Sequence, residues 1–537
     1  MGKSQSIKMN KVLKENEQLR TEIAALKQNI NELEDAYNHL WEIATVAKHR
    51  KYSTNADKVK YEQLSIFNEA EAEADPDAEE SEIPASESDE TEKSKRYPGR
   101  QKSKLKESNV TKTEEIHDIS DEVKNLYGDR LKFIGYNIKN ELIHHPAWYE
   151  YKEHKQCIYK VEGELNENGG EVFIKGTMPL LPLGKSYASA SLLSKVITDK
   201  FDKGIPFTRQ ERICREQGVP IIKQTMANWM IQLDCNYYNV LAEHIRKRIV
   251  SGSHSIGDET RVQVLKEEGK NPETESWMWA IMNGRSEKDK MIYFMYAPDR
   301  THKNAQIILD GFKKGGILLA DGWQAYDKIE GAVRANDWSH LRRKLVDVVN
   351  AAPQGTNKKA TFAGQILSLI SKLFRYDKRL DPKKMSYDEI RSKRQEKQLP
   401  IVDEIFKKIK SVNIPKSTLL YKACEYALNQ EQGLRKYLDD GRIEITSNII
   451  EREMKAFGIS RKNFLFMNTP NGATASAHLF SVMRTAVMNG LDPERYLTFL
   501  NAKLPYLDLN DENEIEKVMP WSDSLPEDLK ARKKRSK

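Results

Sequence analysis

The sequence predicts an α+β protein of several domains: an N-terminal coiled coil, a helical domain with a helix-turn-helix-like pair, and an α/β core split by a helical insertion. Three observations predict it. Leucines recur every seven residues at Leu19, Leu26, Leu33 and Leu40. Between Ser255 and Gly322 the apolar pattern reads strand, strand, strand, helix, strand. From Asn350 to about Gln432 the chain turns helical and charged, before an amphipathic helix returns around Glu451. A chain of 537 residues is also too long for one hydrophobic core.

In the first element, residues 1–48, Asn16, Ile23, Ile30, Tyr37 and Ala44 form the second heptad series beside the leucines. Ile at one core position, Leu at the other and a single Asn predict a parallel two-stranded coiled coil, hence a homodimer or higher oligomer. One long helix packed on its own body is the alternative. Residues 49–110 read as a linker. Its stretch from Phe67 to Glu92 holds twelve acids and no Lys or Arg, too polar to form a core. "KSKRYPGRQKSKLK", Lys93 to Lys106, follows with seven basic residues and no acid. The net charge of +7 conceals this asymmetry: without the acidic stretch the chain carries 87 basic against 68 acidic residues, or +19. Such a body suits a polyanion, most often nucleic acid, and equally a solvated Lys-rich surface.

Residues 111–175 alternate apolar and polar residues and read as short strands. Residues 176–250 are helical. Within them "FTRQERICREQGVPIIKQTMANWMIQL" predicts a helix stopping at Gly218, a short turn, and a second helix from about Ile222. That spacing fits a helix-turn-helix whose second helix would read DNA through Lys223, Gln224 and Asn228. A plain helical hairpin has the same pattern.

Residues 251–349 are the first part of the core. The order β-β-β-α-β places the last strand, "GGILLADG", beside and parallel to the first, "SIGDETRVQVL". Asp258 and Asp321 would then be neighbours. Asp-Gly at a strand end is also simply a turn signal. Glu259 rivals Asp258, but alternation along a strand turns it to the other face. Trp277 and Trp279 share one face and read as core; Trp323 and Tyr326 suit core and substrate contact equally. Residues 350–440 are the helical insertion, and residues 441–490 complete the core. There Ile450, Met454 and Phe457 form a buried stripe, with Thr446 or Ser447 as N-cap and Gly458 as the helix end. Glu451 lies at the edge of that stripe, where pairing with Lys455 is the bland reading. Residues 491–537 form a C-terminal segment.

Two aspartates on adjacent strands and a glutamate on a later helix describe a ribonuclease-H-like nucleotidyl transfer core. The motifs "GDET", "SWMWAIMNG", "ADGWQAYD", "WSHLRRK", "NIIER", "GISRKNFLF", "NGLDPERYL" and "MPW" resemble, in order, the transposases of insertion sequence family 66. The resemblance covers roughly residues 114–530. It implies a bacterial DNA transposase with catalytic, metal-holding acids Asp258, Asp321 and Glu451. Its His-x-Arg-Arg-Lys segment falls on His340, Arg342 and Arg343, and its Gly-Arg-Lys-Asn segment on Arg461, Lys462 and Asn463. Arg342, Arg343, Arg461 and Lys462 are thus expected on DNA.

The expected cofactor is Mg2+, as two ions about 3.5 to 4 Å apart, with Mn2+ able to substitute. Water would first expose a 3′-OH at the element end, and that 3′-OH would then attack target DNA. The implied partners are double-stranded DNA, as terminal inverted repeats and as target, and helper proteins encoded by the element. The implied location is the bacterial cytoplasm, associated with the nucleoid. No membrane is expected: no apolar run approaches a spanning helix, and the N-terminal stretch lacks the apolar core of a secretory signal.

Departures from the family's pattern are local. Its zinc-ribbon-like segment has two CxxC pairs; here Lys124 and Tyr127 replace the first, and only Cys157 survives of the second. Four thiolates cannot assemble, so no structural zinc is expected, and Phe133, Tyr136, Trp148 and Tyr149 would hold the strands instead. Ile256, Asp337 and Ala456 replace a His, a Cys and a Pro of the pattern. A DNA-binding regulator without catalysis explains the charge and the dimer but not three converging acids. A metal-dependent nuclease on the same core explains the acids without strand transfer.

Overall fold

The computed structural model describes residues 110–145, 148–353, 356–464 and 467–530. The heptad segment, the acidic run and the basic block all lie outside them. The described residues divide into two compact units, one of residues 110–333 and 447–530, the other of residues 334–446. The described residues mix helices and strands as the sequence predicts, with two mixed sheets.

The larger unit opens with a four-stranded sheet. Strand β3 (Trp148–Leu165) is its centre. Strand β2 (Leu131–His145) pairs with it antiparallel along one edge. On the other edge, β1 (Val110–His117) runs parallel to the first half of β3, and β4 (Glu171–Lys175) antiparallel to the second. Gly135, at φ +147°, accommodates the bulge that shifts the β2 register. One expectation fails here. Phe133, Tyr136 and Trp148 are about half exposed, and only Tyr149 is buried, beside Tyr151, Leu142 and Val161. Phe133, Tyr136 and Tyr159 make edge contacts with one another instead, level with Cys157 and on the same face as Tyr149 but toward the far end of the strands. The sheet meets the helical region at the Tyr149 end, where the Tyr149 hydroxyl lies 3.4 Å from Cys214 Sγ.

That region contains helices Ala190–Phe201, Phe207–Glu216, Lys223–Leu233 and Asn239–Ser251. The second and third are joined through Gly218, whose φ of +77° suits a residue without a side chain.

The second sheet has the order β7-β6-β5-β8-β9. Strand β5 (His254–Gln263) pairs antiparallel with β6 (Glu275–Asn283), and β6 antiparallel with β7 (Ile292–Ala297). A helix of seven residues, His302–Ile308, then leads to β8 (Ile317–Ala320), which runs parallel to β5. All four β8 side chains are buried, as suits a strand covered on both faces. β9 (Val333–Asn336) begins at the residue where the chain leaves the unit. Edge strand β7 is covered by helix Pro470–Met488: the N–H groups of Phe294 and Ile292 donate to the hydroxyls of Ser481 (2.8 Å) and Thr485 (3.2 Å). Capping an edge in this way removes exposed pairing groups.

The smaller unit is largely helical, with helices Trp338–Asn350, Phe362–Asp377, Tyr387–Lys397, Leu399–Ser411 and Leu419–Asn429. At its centre is Arg394, fully buried. Its guanidinium donates to Asp377 at 2.9 and 2.8 Å and to the carbonyls of Tyr437, Asp440 and Ile443. Five fixed donors matched to two kinds of acceptor make this burial tolerable. Among the described residues no helix is long and apolar enough to cross a membrane.

Candidate active site

Register decides which acids can meet. His254, Ser255 and Ile256 of β5 lie level with Ile317, Leu318 and Leu319 of β8. Continued by two residues, the same offset sets Asp258 level with Asp321, just beyond the end of β8. Level residues on neighbouring strands share a face. Across β6, Asp258 opposes Ala280, which in turn opposes Phe294 on β7. Phe294 packs against Phe457 and Phe480 at ring separations of 6.0 and 4.9 Å. Helix Asn448–Phe464, which carries Phe457, therefore covers the Asp258 face, with Ile450, Met454 and Phe457 buried as its stripe requires. Glu451 stands in the first turn of that helix, 13% exposed and 4.0 Å from Lys455.

Glu259 takes the opposite face. It opposes Trp279, which packs on Trp323 and Tyr326. Its side chain is 3% exposed. The Tyr326 hydroxyl donates to its Oε2 at 2.6 Å, and Arg300 donates Nε–H to its Oε1 at 2.7 Å. Arg300 also reaches Asp321: one Nη2 hydrogen bonds Asp321 Oδ2 at 3.3 Å, while the backbone N–H of Trp323 donates to Asp321 Oδ1 at 3.0 Å. The guanidinium lies over the rings of Trp323 and Trp277, 4.4 and 5.0 Å from their centroids. Tyr326 and Trp279 are thus core, and half-buried Trp277 and Trp323 form the bed of Arg300.

The electrostatics follow from this crowding. Burial, and then the charge of Glu259, push the Asp258 carboxyl well above the usual carboxylate range; Glu451 and Asp321 push the same way. Glu259 is raised by burial and by Asp321, against the pull of Arg300 and the Tyr326 hydroxyl. Tyr326 is raised well above its ordinary value by burial and then by Glu259. Several carboxylates with one guanidinium among them form a hard oxygen donor set short of positive charge, which fits a divalent cation such as Mg2+. The set is loose. The groups whose ligand atoms all lie within 4.8 Å of one another include Glu115, His117 and His154, and not Asp258, Asp321 and Glu451 as a set.

The residues expected on DNA fall in three places. Lys223, Gln224 and Asn228 occupy the first half of helix Lys223–Leu233, half-buried; Gln224 and Asn228, four residues apart, share a side facing away from buried Met226 and Met230, and Lys223 is the first residue of the helix. Arg342 and Arg343 are exposed on helix Trp338–Asn350 of the smaller unit, whose inner side is Trp338, Leu341 and Leu345. Arg461 and Lys462 lie on the same helix as Glu451. Gly458 does not end it: the helix runs on to Phe464, which is buried. A glycine inside a helix costs only about 1 kcal/mol, less than burying Phe464 returns. Their backbone positions are ten and eleven residues past Glu451, about 15 Å along the axis.

Arg300 is the site residue that sequence reasoning missed. It follows "YAPD", where one Arg after a Pro looks like any solvated turn, and no local pattern marks it.

Comparison with known proteins gives a family and several relatives. The family model described as "Transposase IS66 family" matches residues 185–475. The chain is similar to the uncharacterized protein y4qI of Sinorhizobium fredii, 29% identical over 381 residues, which are 66% of this chain and 66% of that protein. It is also similar to the uncharacterized proteins y4jD (26% identical, 62% of this chain, 66% of that protein) and y4hP (21%, 70% and 69%) of the same organism. The chain thus spans about two thirds of the length of these relatives.

Proposed function

The chain belongs to the IS66 family of transposases, and on that premise we propose that it binds the ends of a bacterial insertion sequence and catalyses metal-dependent DNA cleavage and strand transfer. The observation that carries the reading is the parallel register of β5 and β8, which, continued two residues past the pair of Ile256 with Leu319, would bring Asp258 level with Asp321, beside the helix of Glu451 that packs on this sheet. The strand order supports a ribonuclease-H-like core, since counting from β5 it reads third, second, first, fourth, fifth, with the second strand antiparallel to both its neighbours and the fourth parallel to the first.

Asp258, Asp321 and Glu451 would hold Mg2+, for which Mn2+ can substitute. Bound there, the metal would stabilise charge on the attacking and leaving oxygens of a phosphodiester. The protein's own part is positioning. The Trp323 N–H fixes one oxygen of Asp321 and Arg300 the other, so its carboxylate cannot rotate freely. Glu259, itself held by the Tyr326 hydroxyl, holds Arg300 from below. Phe457 locks the helix of Glu451 onto the sheet; aromatic pairs of this kind contribute about 0.5 to 1.5 kcal/mol beyond their burial.

Helices Phe207–Glu216 and Lys223–Leu233 act as a helix-turn-helix on the terminal inverted repeats, with Lys223 on phosphate and Gln224 and Asn228 on base edges. Arg342, Arg343, Arg461 and Lys462 clamp phosphates of element or target DNA. Residues 1–48 dimerise the protein through a coiled coil, helper proteins of the element join the assembly, and the protein works at the bacterial nucleoid.

The test uses duplexes ending in the element's own terminal repeats. Wild-type protein should nick them in Mg2+, whereas Asp258→Asn, Asp321→Asn and Glu451→Gln should each bind and not nick. Nicking by all three variants at the wild-type rate would remove the assignment.

A further inference from the structure

One group of side chains far from the acids of the second sheet converges as metal ligands do. The parallel pairing of β1 with β3 sets Glu115 level with His154, and His117, two residues on, shares their face. His117 Nε2 lies 2.8 Å from His154 Nδ1, and the two rings stack with centroids 5.1 Å apart. Glu115 Oε2 lies 3.9 Å from the same Nδ1. The His154 side chain is 3% exposed, and its other nitrogen, Nε2, is 2.8 Å from Glu141 Oε2 on β2.

Glu141 settles the tautomer. An ionised carboxylate only accepts, so Nε2 of His154 carries the proton and Nδ1 presents its lone pair to His117 and Glu115. A carboxylate behind an imidazole in this way orients metal-ligating histidines and raises their basicity. Burial holds the His117 imidazole below its ordinary pKa.

We propose that Glu115, His117 and His154 form a binding site for a divalent transition-metal ion of the zinc class, with Glu141 as the positioning residue behind His154. Two imidazoles and one carboxylate select Zn2+, Ni2+ or Cu2+ over Mg2+. Ligands at about 2.0 to 2.1 Å from a tetrahedral Zn2+ sit roughly 3.3 Å from one another. The distances of 2.8 and 3.9 Å about Nδ1 bracket that spacing, so small side-chain rotations close the shell. Without metal, His117 donates its Nε2 proton to His154; on binding, that proton moves to His117 Nδ1 and both nitrogens face the ion. Lys152, which pairs with Glu115, withdraws into solvent, to which its side chain is already 29% exposed. A water takes the fourth position. The thiolate count that excludes a four-cysteine site does not bear on this one, and the site stands whether or not the acids of the second sheet cut DNA.

The experiment is a Zn2+ titration of the full chain, stripped with chelator and held in excess Mg2+, followed by calorimetry and melting. About one equivalent should bind and raise Tm, as any ligand of the native state does. His117→Ala and His154→Gln should abolish binding, and Glu141→Gln should weaken it by roughly 10- to 100-fold. Asp321→Asn should leave it unchanged. Co2+ in place of Zn2+ should give a visible spectrum without a thiolate charge-transfer band. Equality of the metal-free melting of His117→Ala with wild type shows that its loss of binding is not loss of fold; a lowered melting passes that decision to Glu141→Gln. Wild-type affinity in His117→Ala or Glu141→Gln, no Zn2+ binding by wild type, or loss of the site in Asp321→Asn would each overturn the proposal.

Discussion

Replacing Arg300 with Ala should damage both stability and catalysis, and the structure sets the size of the effect. The guanidinium is the cation for two acids at once, and Glu259 is 3% exposed. Removing it strands a buried carboxylate, a change that typically costs about 3 to 5 kcal/mol. The Arg300 side chain is 30% exposed, so water can replace part of the lost contact and the lower end, about 3 kcal/mol, applies. At roughly 2 to 4 °C per kcal/mol for domains of about 150 to 250 residues, and somewhat less for a larger unit, Tm should fall by about 5 °C. Glu259→Gln in the same chain removes the stranded charge, so the double variant should recover much of that loss. It should not recover DNA nicking, because Asp321 still lacks its donor. Melting of the two single variants and the double variant, with nicking assays on each, measures both effects. An Arg300→Ala protein within about 0.5 kcal/mol of wild type, the range of ordinary surface changes, would refute the role assigned to this pair.

Asp258→Asn should stabilise the protein in buffer without divalent ions. The folded-state pKa is raised, so the contribution of Asp258 is fully present below the ordinary carboxylate pKa and is lost as pH rises through the folded value; the gain from Asn should therefore grow from acid to neutral pH, and a gain that shrinks over that range contradicts the shift. Deleting residues 1–48 should move the DNA-free protein toward monomer in sedimentation; an unchanged oligomer would place the dimer contact elsewhere. DNA affinity should fall steeply with salt, and neutralising Arg461 and Lys462 together should reduce the slope of log affinity on log salt by about two, Lys223 alone by about one. Changes at Gln224 and Asn228 should instead relax preference for the terminal repeats over random duplex, and an unchanged preference in both would remove that helix as the reader.

The parts of the fold legible in the sequence are those set by local pattern. The all-apolar β8 ending on Asp321, the three preceding strands and the stripe through Ile450, Met454 and Phe457 are periodic signals, and together they imply a parallel neighbour for β5. What was not legible depends on contacts distant in sequence. Alternation in β2 and β3 cannot say how far along the strands the covered patch extends, so Phe133 and Tyr136 look like core although they are about half exposed on the same face that buries Tyr149, while Trp148 takes the opposite face. Gly458 reads as a stop because the pull of buried Phe464 beyond it is tertiary. Arg300 meets Glu259, 41 residues away in sequence, only because the turn after β7 reaches across β6 to β5. His117 and His154 meet only because β1 crosses to pair in parallel with β3.

Strand transfer itself is the most direct test of the account. A labelled duplex with the terminal repeat and a pre-exposed 3′-OH is incubated with target DNA, protein and Mg2+, and joined product is resolved on a denaturing gel. Wild-type protein should join the labelled end to target, Mn2+ should support the same reaction, and Asp321→Asn should bind the duplex equally well yet form no joined product. Joining by Asp321→Asn at the wild-type rate would contradict the central claim that the acid at the tip of β8 carries the chemistry.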